Sequence, residues 1–403
     1  MIIGNESIFV MSPNAHIAFG RQGVLFVDVE NGAYVKTNDY HSIAFAAAIS
    51  SVATRAVRCA DFGEAHQVEL LNQLVDKRLG IVCSPEKVPY SHVFQPFEYI
   101  VDDIARWRRN GEQALLRQVA PQLLSELTVY VTGQCSQGCP HCHYLYRQVR
   151  CCNKYGNGLM PPSMLDAVLR DARGTALSRV HLVVPPDKLH QYSNDYGAVV
   201  AAHGFRFDIW TSWSEEELAP SLGQGDCALN VVVPLMNGGM PQFELNVAVR
   251  YHFCVASESE LVAAYGYLDR WPEVSITVYP VYNGENEVFI SDSMLLTEAE
   301  ILQQHIGMRG IIRNKRMNAN AFGELYMFAN GEVRAAPYAE NLANVTNITL
   351  SEIAYRELLC NDGAWLKTRS SLSGCSSCVY AELCPPPMPI DMMLGLSRRC
   401  HVE

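Results

Sequence analysis

The stretch Val131–Tyr146, VTGQCSQGCPHCHYLY, places three cysteines, Cys135, Cys139 and Cys142, in the spacing C-x3-C-x2-C. Four thiolates close a structural zinc or iron–sulfur site. Three leave one coordination position open, which is what a metal centre needs in order to hold a substrate or cofactor. Just before the cysteines, ELTVYVT reads as a β-strand, so the loop departs from a strand's carboxyl end. Beyond it, strand-like runs alternate with helical ones. The strands are RVHLVV, FRFDIWTS, ALNVVVPL, FELNVAVRY and VSITVYPVY; the helices are PSMLDAVLRDAR, DYGAVVAAHG and ESELVAAYGYLDR. This alternation predicts a parallel α/β architecture, in which chemistry sits at the carboxyl ends of the strands.

The bulk composition sets limits. A chain of 403 residues predicts two or three domains, and 49% hydrophobic with 18% charged residues supplies an ordinary core. The net charge of -11 argues against a nucleic-acid partner. MIIGNESIFVMSPNAH lacks the pattern of a signal peptide, and SIAFAAAISSVATRAV is too short and too interrupted to span a bilayer. We therefore expect a cytoplasmic protein without a membrane partner. In a reducing compartment its 14 cysteines point to metal or redox chemistry rather than disulfides. They also cluster again near the end, as Cys375, Cys378 and Cys384 in CSSCVYAELC, with Cys400 beyond.

Residues 1–85 read as a separate front unit. GVLFVDVENGAYVKTN predicts a hairpin over Asn31-Gly32. Thr37 or Asn38 is expected to cap a helix in DYHSIAFAAAISSVA. A second helix, EAHQVELLNQLVDKRLG, presents Val68, Leu71, Leu74, Val75 and Leu79 on one face, with Gly80 as its stop. Hairpin, helices and short strand make a winged-helix-like order. Residues 86–124 read as a linker with one helix, YIVDDIARWRRNGEQALLRQVA. Residues 311–403 begin with a hairpin over Asn330-Gly331 and a capped helix, TLSEIAYRELL, before the terminal cysteines.

The C-x3-C-x2-C motif after the first strand of a βα repeat resembles the signature of radical S-adenosylmethionine (SAM) enzymes. The resemblance covers roughly residues 125–310 and implies a partial (β/α)6 barrel. It also implies that Cys135, Cys139 and Cys142 hold a [4Fe–4S] cluster whose free iron chelates SAM. Cleavage of SAM by one electron would give a 5′-deoxyadenosyl radical that removes hydrogen from a substrate. A flavodoxin or ferredoxin would supply that electron. Thr211 and Ser212, and Asn246 and Arg250, stand where the family often contacts the cofactor. The sequence departs from the family at Val184-Pro185-Pro186-Asp187, in place of a Gly-Gly-Glu turn, and prolines bring no N–H. A zinc site borrowing His141 or His143 is the other reading of the thiols.

The tail resembles the SPASM extension of peptide-modifying members. Ala336 and Met388 stand where that pattern carries cysteines. The resemblance then implies that one auxiliary cluster is lost and that Cys375, Cys378, Cys384 and Cys400 hold the other. A structural zinc is the alternative there. The front unit resembles the leader-peptide-recognition domains of ribosomal-peptide maturases, which bind a peptide as an added strand. A DNA-binding winged helix and a plain packing domain are its rivals. The implied activity is modification of a ribosomally made precursor peptide. An intramolecular crosslink, a C–C cyclophane or a thioether or ether, is the leading expectation. Epimerisation, with Cys254 as hydrogen donor, is the second. A thiol-metal sensor with a winged helix is the alternative from another class.

Overall fold

The structure is a computed structural model. It describes residues 6–21, 23–52, 54–62, 65–88, 100–136, 138–139, 141–156, 158–213, 227–235, 248–304, 306–394 and 401. Asn246 and Cys400 lie outside the described residues.

The front unit comprises β1 (Ile8–Met11), β2 (Ala15–Gly20), β3 (Gly23–Asp28), β4 (Tyr34–Thr37), α1 (Tyr40–Ser51), β5 (Ala56–Arg58), α2 (Ala65–Asp76) and β6 (Gly80–Cys83). Two three-stranded sheets result, in the orders β5-β1-β6 and β2-β3-β4. The Asn31-Gly32 hairpin forms between β3 and β4. Asp28 shapes it by accepting from the backbone N–H groups of Glu30 and Asn31, and Gly32 takes φ +74°. Two local expectations are corrected. The cap of α1 is Asp39, whose carboxylate accepts from Ser42 N–H at 2.8 Å, rather than Thr37 or Asn38. The stop of α2 is Arg78, at φ +61°. Leu79 N–H reaches Leu74 C=O and Arg78 N–H reaches Val75 C=O, the paired bonds of a Schellman end. Gly80 serves packing instead, since a Cβ there would lie 2.3 Å from the Phe9 ring.

The expected connector helix is two helices, α3 (Ile100–Asn110) and α4 (Gln113–Leu123). Gly111 at φ +72° breaks them, a backbone angle that costs glycine little. The repeat then runs β7 (Glu126–Tyr130), α5 (Cys142–Leu145), α6 (Pro162–Ala172), β8 (Arg179–Val183), α7 (Leu189–Ala202), β9 (Arg206–Ser212), β10 (Leu229–Pro234), β11 (Val249–Val255), α8 (Glu258–Arg270) and β12 (Ser275–Pro280). β11 starts later than FELNVAVRY suggests and runs on through His252 and Cys254, because Tyr251, Phe253 and Val255 continue its apolar alternation.

α9 (Glu287–Met294), α10 (Glu298–Gln303) and α11 (Met308–Arg316) lead to β13 (Glu324–Met327), β14 (Glu332–Arg334), β15 (Ala343–Asn344), α12 (Leu350–Leu359) and α13 (Pro389–Leu394). The second hairpin forms over Gly331 as expected. Thr349 caps α12 by accepting from Glu352 N–H.

The main sheet has the order β12-β11-β10-β9-β8-β7-β13-β14-β15 among the described residues. β7 to β12 are parallel and lie in sequence order. β13 adds to β7, also in parallel, so the sheet continues into the tail. One face is apolar: Leu127, Val129, Val180, Leu182, Ile209, Val231, Tyr251 and Phe253 pack with residues of α3, α4, α6, α7, α8 and α12. Among the described residues α6, α7 and α8, which follow β7, β8 and β11, all pack on this face, so those three crossovers turn the same way.

Within that core Glu357, on α12, is 2% exposed. Its Oε1 accepts from Trp365 N–H at 2.9 Å. Burial raises its pKa from 4.5 to about 7, against the backbone N–H groups of Trp365 and Ala364. The fold thus favours the protonated acid. Glu357 contributes stability below pH 4.5 that is lost as pH rises through about 7, roughly 3 kcal/mol in all. Glu357→Gln keeps an acceptor for Trp365. Denaturant unfolding at pH 5 and pH 8 is expected to show a smaller loss across that window in the variant than in the wild type.

Candidate metal centre

The face of the main sheet away from the helices is polar toward its amino end and aromatic toward its carboxyl end. Alternate residues build it: Glu126, Thr128 and Tyr130 on β7; His181 and Val183 on β8; Asp208, Trp210 and Ser212 on β9; Asn230 and Val232 on β10; His252 and Cys254 on β11; Glu324 and Tyr326 on β13. The segment 141–155 folds onto this face, placing Leu145, Tyr146, Val149 and Cys151 against Tyr130, Trp210, Cys254 and Phe328. Tyr130 and Phe328 stack at 4.8 Å.

Arg150 fastens the segment. Its guanidinium donates to Glu324 at 2.7 Å and to Thr128 at 3.1 Å, and lies 5.4 Å from the Trp210 ring. Burial is the largest influence and works against its charge, but Glu324, Tyr326 and Glu126 together outweigh it and raise the pKa. Glu126, held below the usual carboxylate range by the His181 hydrogen bond, completes the group at 3.5 Å from Arg150. The ligand atoms of Glu126, His181 and Glu324 all lie within 4.8 Å of one another, a spacing that suits a single ion, but Arg150 already supplies the positive charge there.

The three motif cysteines follow β7. His141 takes the left-handed conformation at φ +55°, which turns the loop into α5 with Cys142 as its first residue. Cys135 is buried, while Cys139 and Cys142 are partly exposed. Burial raises the Cys139 thiol pKa, and Cys135 and Cys142 raise it further. Cys142 is raised by burial and by Cys135.

Two further cysteines, Cys151 and Cys152, join them. Cys151 is fully buried, and its thiol is pushed far up by burial and then by Cys254, Cys142, Cys139 and Cys135. Cys152 Sγ lies 3.0 Å from Cys135 Sγ and 3.0 Å from Ser212 Oγ. Only the adjacent Cys151-Cys152 pair signals this convergence in the sequence. A polar face was signalled by the alternation of polar residues through otherwise apolar strands, in E-x-T-x-Y, D-x-W-x-S and H-x-C.

The other expected site residues are placed as follows. Thr211 and Ser212 end β9; Ser212 faces Cys152, while Thr211 is fully buried and its hydroxyl has no partner. Arg250 is exposed near the amino end of β11, in register with Asn230 and Ser275. Cys254 is fully buried on the polar face, and burial strongly raises its thiol pKa. His252 stacks on Trp210 at 4.5 Å and shares a 3.0 Å hydrogen bond with Asn230. Burial lowers its pKa to about 4, so the imidazole is neutral at pH 7.

In the tail, Cys375, Cys378 and Cys384 lie in successive turns, and Tyr380 N–H donates to Cys378 Sγ at 3.4 Å. Arg369 grips Asp391 with both terminal nitrogens, at 3.3 and 3.1 Å. Burial opposes the Arg369 charge, while Asp391, Cys384 and Cys375 favour it. Ala336 is packed in the large core, and the Met388 side chain packs beside Ile390.

The front unit rests on this tail. Ala18, Leu25 and Val27 share a core with Ile301, Ile311, Val379, Tyr380 and Leu383. Arg21 N–H donates to Ser377 C=O, and His16 meets Glu382 at 2.9 Å.

No protein-family model matches the chain, and no curated protein matches it. Among solved structures, the chain is similar to Streptococcus suis SuiB bound to its precursor peptide SuiA. The TM-score is 0.39 and the identity 11%, over 93% of this chain and 94% of that one. SuiB bound to S-adenosylmethionine gives a TM-score of 0.38 and 11% identity, over 98% and 99%. At these scores the likeness decides neither fold nor function. No helix among the described residues is long and apolar enough to cross a membrane.

Replacing Arg150 by Met leaves Glu324 buried without its cation. Denaturant unfolding is expected to show a loss of about 3–5 kcal/mol. Adding Glu324→Gln to that variant removes the uncompensated charge and is expected to recover part of the loss, a coupling that a double-mutant cycle measures.

Proposed function

We propose that this chain is a radical SAM enzyme that modifies a ribosomally made precursor peptide. The carrying observation is the three-cysteine loop, which leaves the carboxyl end of β7 and leads into a segment packed on the side of the parallel sheet opposite the long helices. The sheet order and the single helix layer support reading β7–β12 as a partial (β/α)6 barrel with the loop at its mouth. The donor set fits the group. Cys135, Cys139 and Cys142 offer three sulfurs from one short loop, and neighbouring thiols help to raise the pKa of Cys139 and of Cys142. A soft cation reverses that effect.

When bound there, a [4Fe–4S] cluster with one open iron supplies reductive cleavage of SAM to a 5′-deoxyadenosyl radical. The chain's own residues do the rest. Cys135, Cys139 and Cys142 hold the metal. Ser212, at the carboxyl end of β9, is the cofactor-facing position we favour, since Thr211 lies on the helix side of the strand; Asn246 and Arg250 are further candidates. Tyr130, Trp210, Tyr279 and Phe328 line an aromatic floor that excludes water. Cys375, Cys378, Cys384 and Cys400 would hold one auxiliary [4Fe–4S] cluster, with Arg369 as its nearby positive charge. A crosslink, of cyclophane, thioether or ether type, remains the leading product. Cα epimerisation is second, favoured by the Cys254 thiol on the same face as Cys151. Flavodoxin or ferredoxin would be the electron donor.

The leader would add to β4. Asp28 N–H bonds Ala33 C=O, so in this antiparallel pair Val35 faces β3, while Tyr34 and Lys36 turn their backbone groups outward. No strand covers that edge among the described residues. Tyr34 C=O already accepts from Lys77 Nζ, which leaves Lys36 to bond an added strand.

Anaerobic reconstitution is the direct test. The expected content is about eight irons and eight sulfides per chain, falling to about four of each in a Cys135/Cys139/Cys142→Ala variant that no longer cleaves SAM. Zinc in place of iron, with SAM left intact by the wild type, sinks the reading in favour of a thiol-metal sensor.

A further inference from the structure

We propose that the arginine stripe of α11 and α3 is the docking surface for a small acidic electron-carrier protein, which passes one electron to the tail centre. This rests on the reading above and adds to it the place where the carrier binds. The chain as a whole is acidic, with a net charge of -11. Helix α11, MRGIIRNKR, runs against that balance, with four cations in nine residues and no carboxylate. Arg309, Arg313 and Arg316 recur at i, i+4 and i+7, which puts them on one face. Arg309 and Arg313 are exposed. Lys315, also exposed, pairs with Glu382.

A second helix extends the stripe. Arg316 Nε donates to Asp102 on α3 at 2.6 Å. Asp102, Arg106 and Arg109 share a face of α3 by the same spacing. Arg106 pairs with Asp103 at 2.5 Å, and Arg109 is exposed. Helix stability explains only part of this. Arg313, Lys315 and Arg316 stand in the last turn of α11, where cations answer the helix dipole. Arg309 stands in the first turn, where the dipole opposes a cation.

The inner face of α11 meets the thiol block. Ile311 is buried in the core on which Cys378 and Cys384 also pack, and Asn314 Nδ2 donates to Cys384 C=O at 3.0 Å. One helix, about 10–12 Å across with its side chains, thus separates the stripe from the proposed ligands. Electron-transfer encounters belong to the small, transient class of interface, and opposite charges steer them and speed their formation. A long-lived partner would need an apolar core, which this polar stripe does not supply. In the step itself the reduced carrier loses one electron and the tail centre gains it; no bond forms or breaks.

The test mixes photoreduced flavodoxin, and separately reduced ferredoxin, with the oxidised, reconstituted full-length chain in an anaerobic stopped-flow. The bimolecular rate constant for carrier oxidation is the readout. It is expected to fall steeply from low to high salt, and to fall about tenfold at low salt in Arg309→Glu/Arg313→Glu. Arg206→Glu/Arg270→Glu, at the start of β9 and the end of α8, carries the same change in net charge and is expected to stay within about twofold of the wild type. Dithionite needs no docking surface, so it should reduce both variants and the wild type alike, which guards against a folding defect. The Cys135/Cys139/Cys142→Ala variant, whose remaining iron lies in the tail, is expected to keep both the rate and its dependence on the stripe. Equal rates in the stripe and control variants overturn the inference, as does a wild type that takes electrons from dithionite but from neither carrier. Loss of carrier oxidation in the triple-cysteine variant also overturns it, because electrons then enter at the motif centre. A wild type that binds no iron sinks the functional reading instead, and the inference with it.

Discussion

The guanidinium of Arg150 is the contact on which the site depends. The amino half of the bare sheet face gathers Glu126, Asp208 and Glu324 around His181. Buried carboxylates without a cation cost several kcal/mol each. Arg179, also on the sheet, answers Asp208 at 2.8 Å. No sheet residue answers Glu324 in the same way, and the cation comes from the loop. Once Arg150 is drawn down to Glu324, Thr128 and Trp210, its neighbours have little freedom. Val149 and Cys151 are buried on the aromatic floor, and Cys152 arrives beside Cys135. The cysteine loop is closed by an electrostatic anchor several residues downstream of the cysteines themselves.

The two faces of the sheet are held by different physics. The helix side is a dry apolar core, where volume and complementarity count. The other side is a network of charged and aromatic groups in which Arg150, Glu126, Glu324, His181 and Asp208 meet particular partners. Networks of this kind are costly when one member is missing and specific when all are present. Side chains such as His252, neutral and stacked on Trp210, belong to that second face and are fixed in orientation before any substrate arrives.

The fold was legible in proportion to how local its causes are. Alternating strands and helices, the two Asn-Gly hairpins and the Thr349 cap follow from residues within a few positions of one another, and they appear where the spacing puts them. Asp39 and Arg78 were misjudged because side-chain capping and a Schellman end compete with simpler signals nearby. The split at Gly111 turned on one residue's backbone freedom inside a run that looks continuously helical. The motif cysteines were legible because their spacing is itself the signal. Arg150, Cys152 and His252 were not, since each acquires its meaning from a strand 20 to 180 residues away in the sequence, such as Glu324 for Arg150. Long-range pairing of this kind leaves no periodicity to read.

The tail shows how two distant parts become one unit. Strand β2 of the front unit ends at Gly20, where a Cβ would lie 2.6 Å from Ser377 C=O and 2.6 Å from Val379 N. Only glycine lets the two backbones approach so closely. The partners it meets lie between Cys375 and Cys384, inside the thiol block. The same turns present Ser377 C=O to Arg21 N–H and set Val379, Tyr380 and Leu383 over Leu25 and Val27. Whatever orders those turns therefore also seats the front unit, whose open β4 edge is carried on the same small sheet. Metal binding and folding are coupled wherever ligands are gathered from one segment, so under the proposed reading a metal at the thiol block would also steady the front unit, through Gly20 and the apolar contacts of Ala18, Leu25 and Val27.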